Sequence, residues 1–375
     1  MGIEMENETY EQSTGYTGNP FADMDYNLCK KCKHRTIDRS ENPESVLCRD
    51  CREELIKLKI PPVFFVVGVL VILLEAFILA VYLGGFKSYK AFYTAEETSD
   101  EGYIISTMNE LLDILENNPD NLDAAIELTD IAMEYSYYDY ASYAMNQYIA
   151  DREVSDKQYR KLLGYVDEIN TYYDTVDLSN EIWDELYEAE NEEMYEEDDV
   201  YLMMEDYCQR LSEYIGDSNY DQALLYYYLG YMTVDDEQRN DYFEKCVAVN
   251  PCYFEAQAQI ATYCRREGNL ERARQILEET YAVNKEDYAV LRSFATLELV
   301  EGNLESGLDF ASRSYDAYAD GDYVIDTYIV ALAANGRMEE ARELVGEYEN
   351  NGYVFDDDLY EFLDGNMTLE DYYID

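Results

Sequence analysis

Gly268–Glu271 reads GNLE, Gly302–Glu305 reads GNLE again, and Gly336–Glu339 reads GRME, each 34 residues from the last. Five residues after each glycine stands a small residue: Ala273, Gly307 and Ala341. Seven before it stand Ala261, Ala295 and Ile329. Between these marks apolar residues recur at the 3.6-residue spacing of amphipathic helices. A fixed period of roughly 20–50 residues is the mark of stacked like units. Glycine can take the left-handed backbone on which a helix stops. Small residues let two paired helices approach, and larger apolar ones (Ile260, Leu277, Phe294, Tyr328, Val345) fill the layer between units. One helix pair cannot hide its apolar face; stacked pairs can.

This pattern resembles the tetratricopeptide repeat. The expected fold class is mainly α: an α-solenoid of helix pairs, plus one transmembrane helix and a small N-terminal zinc-binding segment. Four units stand in register over residues 218–353. The first is degenerate, because Val234 holds its glycine position, but Arg239 and Phe243 lie 34 residues before Ala273 and Leu277. Residues 86–217 read as divergent helical repeats. Ala124–Ile149 has one unit's pattern, with Ala132 and Ala144 as its small pair, out of register with the rest. The acidic run Glu188–Asp199 reads as a solvated face, with cation binding as the functional alternative. Residues 354–375 read as an acidic cap, with a polar capping helix over Phe355–Asp364.

The resemblance implies that the first helix of each unit lines a groove. Asp221, Tyr228, Tyr231, Glu255, Arg265, Arg292, Tyr323 and Asp326 are then the candidates to face a protein or peptide partner. Tyrosine offers contact area at low entropic cost, and the chain has 41 tyrosines against 12 phenylalanines and one tryptophan. Filling ordinary core positions is the competing role for them. The formal net charge is −55, and residues 86–375 carry −51 of it. Such a body repels nucleic acid and anionic lipid, so the expected partner has a basic surface. The hydrophobic fraction, 47%, suffices for a packed core.

Val63–Leu83 reads VFFVVGVLVILLEAFILAVYL. A helix needs about 20 apolar residues to cross a bilayer, and Glu75 is the single charge here. Arg49, Arg52, Lys57 and Lys59 precede the run and only Lys87 and Lys90 follow closely. The positive-inside rule puts the N-terminus in the cytoplasm and the repeats outside the cell membrane. Gly68, Glu75, Ala76, Ala80 and Gly84 form a ridge suited to close contact with another helix, including self-association; a tolerated, protonated Glu75 is the plainer reading.

Before this run, a polar arm (residues 1–26) leads to Cys29, Cys32, Cys48 and Cys51. Two Cys-x-x-Cys pairs fifteen residues apart have the spacing of a four-thiolate zinc site. The segment 27–59 resembles the zinc-ribbon and treble-clef class, and the run from Cys51 reads as a helix carrying the last ligand. The glycine common after the first knuckle is missing; Lys33 and His34 stand there. His34 is an alternative ligand or a solvated neighbour, and a pair of disulfides competes with metal. Four thiolates close the shell, so the zinc is expected to be structural. Lys30, Lys31, Lys33, Arg35 and Arg39 are basic residues available to a partner. Cys246 and Cys264 occupy apolar repeat positions and read as free thiols or a disulfide, beside Cys208 and Cys252.

Three functions follow. The first is a membrane-anchored interaction scaffold. The second is a transmembrane signalling or regulatory subunit coupling an outer partner to the zinc head. The third, a glycosidase-type or other enzyme, is the poorest fit: residues 86–375 contain no histidine, no phosphate loop and no nucleophile paired with a base.

Overall fold

A computed structural model describes residues 27–57, 61–78, 98–99, 101–192, 199–321 and 323–374. The chain forms two compact units, Met1–Tyr82 and Leu83–Asp375. The expected arm, residues 1–26, lies outside the described residues.

In the first unit, Leu28 and Thr36 pair in a single antiparallel bridge. The Cys29 N–H donates to the Arg35 carbonyl at 2.7 Å, and the Lys30 N–H to the Val46 carbonyl at 3.0 Å. These bonds fold residues 27–38 into a knuckle and bring 45–48 back against it. Helix α1 (Arg49–Ile56) starts directly after Cys48 and carries Cys51 in its first turn, as the sequence led one to expect. Residues 62–78 form a second helix, α2, whose side chains are all exposed. Gly68, Glu75 and Ala76 lie on it; Ala80, Gly84 and the rest of the expected span lie outside the described residues. Among the described residues, no helix is long and apolar enough to cross a membrane.

The second unit is helical throughout its described residues. It opens with α3 (Ile104–Asn117), α4 (Leu122–Glu134) and α5 (Tyr138–Ala144), which runs into one π turn at Met145–Ile149. The long α6 (Asp156–Glu192) and α7 (Asp199–Ser212) follow; of the acidic run between them, 193–198 lie outside the described residues. Four helix pairs come next. They are α8 (Gln222–Met232) with α9 (Asp236–Val249), α10 (Phe254–Arg266) with α11 (Leu270–Val283), α12 (Tyr288–Val300) with α13 (Leu304–Ala317), and α14 (Val324–Ala334) with α15 (Met338–Asn350). Two short helices close the chain, α16 (Asp357–Leu363) and α17 (Leu369–Tyr373).

The repeat glycines do what their spacing implies. Gly268, Gly302 and Gly336 have φ of +73°, +82° and +76°. After each, the next N–H reaches back to the helix: Asn269 to Cys264 O, Asn303 to Glu298 O, Arg337 to Leu332 O, at 2.8–2.9 Å. This is the Schellman stop, which satisfies carbonyls that a helix end leaves orphaned. Small residues sit at the crossings. Ala273 and Ala341 are buried, and a Cβ built on Gly307 would stand 2.7 Å from Leu299 Cγ. The layer between units is filled by Leu277, Phe294 and Val345, all buried, with the Phe294 and Phe310 rings stacked at 4.9 Å.

One element keeps to the sequence reading and another departs from it. The Ala124–Ile149 unit is out of register because it packs sideways, onto loops that join later units. Asn250 Nδ2 donates to Ser136 Oγ and Asn284 Nδ2 to Tyr137 Oη, both at 2.7 Å, and the Lys285 N–H meets the Gly102 carbonyl at 2.8 Å. The expected polar cap, α16, is amphipathic: Phe355, Leu359 and Leu363 are buried against the last pair.

Candidate functional site

Of the eight groove candidates, Tyr231, Arg265, Arg292, Tyr323 and Asp326 line one cavity of about 490 Å³ on the first helices of the units. The helical period puts Arg265 (α10) and Arg292 (α12) on adjoining first helices. Arg265 is only 3% exposed. Burial, then the neighbouring charge of Arg292, pulls its pKa down to about 10. Arg292 lies 5.2 Å from the centre of the Tyr323 ring. Tyr323 itself caps α14 with a left-handed backbone, φ +56°, a conformation that costs a non-glycine residue about 1 kcal/mol or more. Asp326 is buried, which raises its pKa, and accepts from the Tyr353 hydroxyl at 3.4 Å.

The other three candidates lie elsewhere. Asp221 is the N-cap of α8: its carboxylate accepts from the Leu224 N–H at 3.0 Å and its own N–H donates to Thr175 Oγ1 at 2.7 Å. An Asp opening a helix is a recognisable cap, and that signal was in the sequence. Tyr228 lines a second cavity of about 350 Å³ with Ser179, Trp183 and Tyr207. Glu255 accepts from the Tyr288 hydroxyl at 2.7 Å and borders a third, tyrosine-lined cavity of about 300 Å³.

Residues the sequence did not single out complete the groove. Arg239, Arg266, Asp356 and Asp358 also line it, and Tyr372 and Tyr373 enter from the closing helix. Arg265 Nη1 donates to the Tyr373 carbonyl, a contact spanning 108 residues of chain that no local pattern announces. Tyrosines also build the core. Tyr207 is buried, and the Tyr227 and Tyr253 rings lie 4.9 Å apart; burial raises the pKa of both Tyr227 and Tyr253.

In the first unit, the sulfurs of Cys29, Cys32, Cys48 and Cys51 all lie within 4.8 Å of one another. Cys32 and Cys48 Sγ are 3.8 Å apart. A tetrahedral metal with bonds of about 2.3 Å to sulfur needs sulfurs separated by about 3.8 Å, so the donor set can hold a metal ion. No two of the eight cysteines are bonded to each other. Burial acts against the Cys29 thiolate, but the N–H groups of Cys32, Cys48 and Lys31 bring its pKa down to about 6. Burial and the neighbouring thiols push Cys51 up to about 12. His34 is exposed and outside the cluster, its ring against the Cys32 carbonyl. Lys33, where a knuckle glycine is common, has φ +57°. Lys31 pairs with Glu54 and Arg35 with Asp50, so these two basic residues are engaged within the head.

No family model matches the chain, and no curated protein matches it. Solved structures do align with it. The Pseudomonas aeruginosa pilF structure is 16% identical, covering 65% of this chain and 96% of that one, with a TM-score of 0.28. A tetratricopeptide repeat protein from Parabacteroides merdae is 10% identical over 65% and 98%, at 0.30. Yeast Tom70 is 9% identical over 69% and 61%, at 0.33. The assignment of tetratricopeptide-like pairs rests on the chain's own 34-residue period and its three glycine stops.

Proposed function

We propose that this chain is a membrane-anchored interaction scaffold. Its helix-pair solenoid binds a protein or peptide partner, and its head carries one structural zinc ion. The observation that carries the reading is the cavity of about 490 Å³ on the first helices, where arginine and tyrosine side chains converge. Such pairs of residues anchor protein interfaces. Arg265, Arg266 and Arg292 in this cavity add a place for negative charge to the basic surface that bulk charge leads one to expect of the partner.

The anchor is supported by α2. Val63, Phe64, Phe65, Leu70, Ile72 and Phe77 are each 58–67% exposed, and an apolar helix open on all sides is stable only when lipid or protein covers it. The head's four thiolates would hold zinc at Cys29, Cys32, Cys48 and Cys51, closing its shell and supplying folding energy to a segment too small for a core. The orientation stays as charge suggests, N-terminus cytoplasmic and repeats outside.

Crosslinking in intact cells, followed by recovery of what is joined to the solenoid, tests the scaffold. A protein partner should be recovered with the wild-type chain and lost with Tyr323→Ala. Recovery of nothing, or of the same partner from the variant, refutes it. Carbonate-resistant membrane association, protease access to the repeats from outside, and one zinc per chain abolished by Cys48→Ser are the expected results for the anchor, orientation and head.

A further inference from the structure

The groove has a resident. Helix α17 folds back over the first helices, and Tyr373 sits inside the cavity, 7% exposed. Its carbonyl accepts from Arg265, and the same guanidinium lies 5.4 Å from its ring centre. Tyr372 lines the cavity beside it, its ring 4.9 Å from that of Tyr373. A capping box between Thr368 and Asp371 holds the turn that carries both rings. Meanwhile Glu370 and Asp371 stay exposed. The helix is therefore attached through two rings, the Leu369 side chain and one carbonyl, a small contact for a segment of five residues.

The cavity has a polarity of its own. Arg239, Arg265, Arg266 and Arg292 line it together with Asp326, Asp356 and Asp358, and Arg239 is already tied to Asp236 and the Thr233 carbonyl. Four guanidinium groups in one cavity are unexpected in a chain with 27 basic and 82 acidic residues. Arg265 is buried among them, and among the described residues the group it donates to is a backbone carbonyl. A neutral carbonyl compensates a buried guanidinium poorly beside a carboxylate, and the lowered pKa of Arg265 reflects the same deficit.

We propose that the groove is a binding site for an acidic, tyrosine-bearing peptide segment, and that residues 369–373 occupy it in cis as a displaceable stand-in for that ligand. The proposal deepens the scaffold reading and rests on it. A tethered segment acts at an effective concentration in the millimolar range, so the groove is closed to weak ligands. Among the described residues the resident gives Arg265 a carbonyl, and a partner that brings a carboxylate competes with it. Tyr323, held over Arg292, is placed to receive a second ring. The apparent affinity of an incoming peptide falls by the fraction of molecules that are open. Releasing the resident should restore it.

The test uses the full chain in detergent and a fluorescent peptide of sequence NMTLEDYYID, residues 366–375, followed by anisotropy. Tyr373→Ala should bind it about tenfold or more tightly than wild type. A chain ended at Asn366 should do the same, which covers the case in which the point variant misfolds. Adding Arg292→Ala or the exposed Arg266→Ala should remove most of that gain, and raising salt should weaken binding. Equal affinity for wild type and both opened chains, indifference to the arginine substitutions, or equal binding of a peptide with lysine at each acidic position overturns the proposal. If the peptide fails but crosslinking still recovers a partner dependent on Tyr323, the inference falls and the scaffold stands. If both fail, both fall.

Discussion

Asp287 gives the sharpest energetic test of the solenoid. It caps α12, and its Oδ1 accepts from the Ala289 and Val290 N–H groups at 3.1 and 3.0 Å. It is 6% exposed, and burial pushes its pKa up to about 7 in spite of those bonds, with Glu255 adding repulsion. The folded pKa lies above the unfolded one, so the proton favours the fold. The penalty for the buried charge is complete above pH 7 and vanishes below about pH 4. A rise of about 3 units at about 1.4 kcal/mol each makes it about 4 kcal/mol at pH 8. The substitution Asp287→Asn would keep the cap, since asparagine and aspartate cap about equally well. It buries an extra N–H pair, at a cost of about 1–3 kcal/mol that does not depend on pH. The difference in stability between Asp287→Asn and wild type should therefore grow by about 3 kcal/mol from pH 5 to pH 8. Urea unfolding followed by circular dichroism reads it, with all points kept above the isoelectric point of about 4.1. Parallel pH profiles for the two proteins would refute a buried carboxylate at this cap.

Three further outcomes are expected. Gly307→Ala puts a Cβ 2.7 Å from Leu299 Cγ and 3.3 Å from the Ala295 carbonyl. Overpacking of about 1–3 kcal/mol should outweigh the helix-propensity gain of about 1 kcal/mol, lowering the thermal midpoint although alanine is native at the equivalent 273 and 341. Lys33→Gly relieves a left-handed residue in the knuckle and should stabilise the head by about 0.5–1 kcal/mol, seen as slower loss of an added metal ion to a chelator. Cys246 is fully buried, and burial raises its thiol pKa; it should react with a thiol reagent in the native chain far more slowly than the partly exposed Cys252, and a rate equal to that of Cys252 would contradict the packing of α9.

The repeat was legible because its physics is local and periodic. Each of Gly268, Gly302 and Gly336 ends its own helix through its N–H bonded three residues back and the next N–H bonded five back. The crossing residues Ala273, Gly307 and Ala341 answer to the helix just before them. The cysteine cluster was legible for a similar reason: two-residue gaps fix each pair, and one helix start, α1, presents the second. Asp221 caps α8 through the Leu224 N–H, a role set within one turn of chain. The lateral docking of Ala124–Ile149 depends on Asn250 and Asn284, whose partners Ser136 and Tyr137 are 114 and 147 residues away.

By itself, then, the sequence determined the helix pairs, their stops, the thiol ligand set and the apolar run, all of which are set by spacings of a few residues. Only the tertiary structure brought Arg239, Arg265, Arg266 and Arg292, three aspartates and Tyr373 to one cavity. Bulk charge summed over 375 residues is blind to where a handful of arginines gather, and the Tyr373–Arg265 contact exists because the stacked units bring α17 back across chain that was made 108 residues earlier.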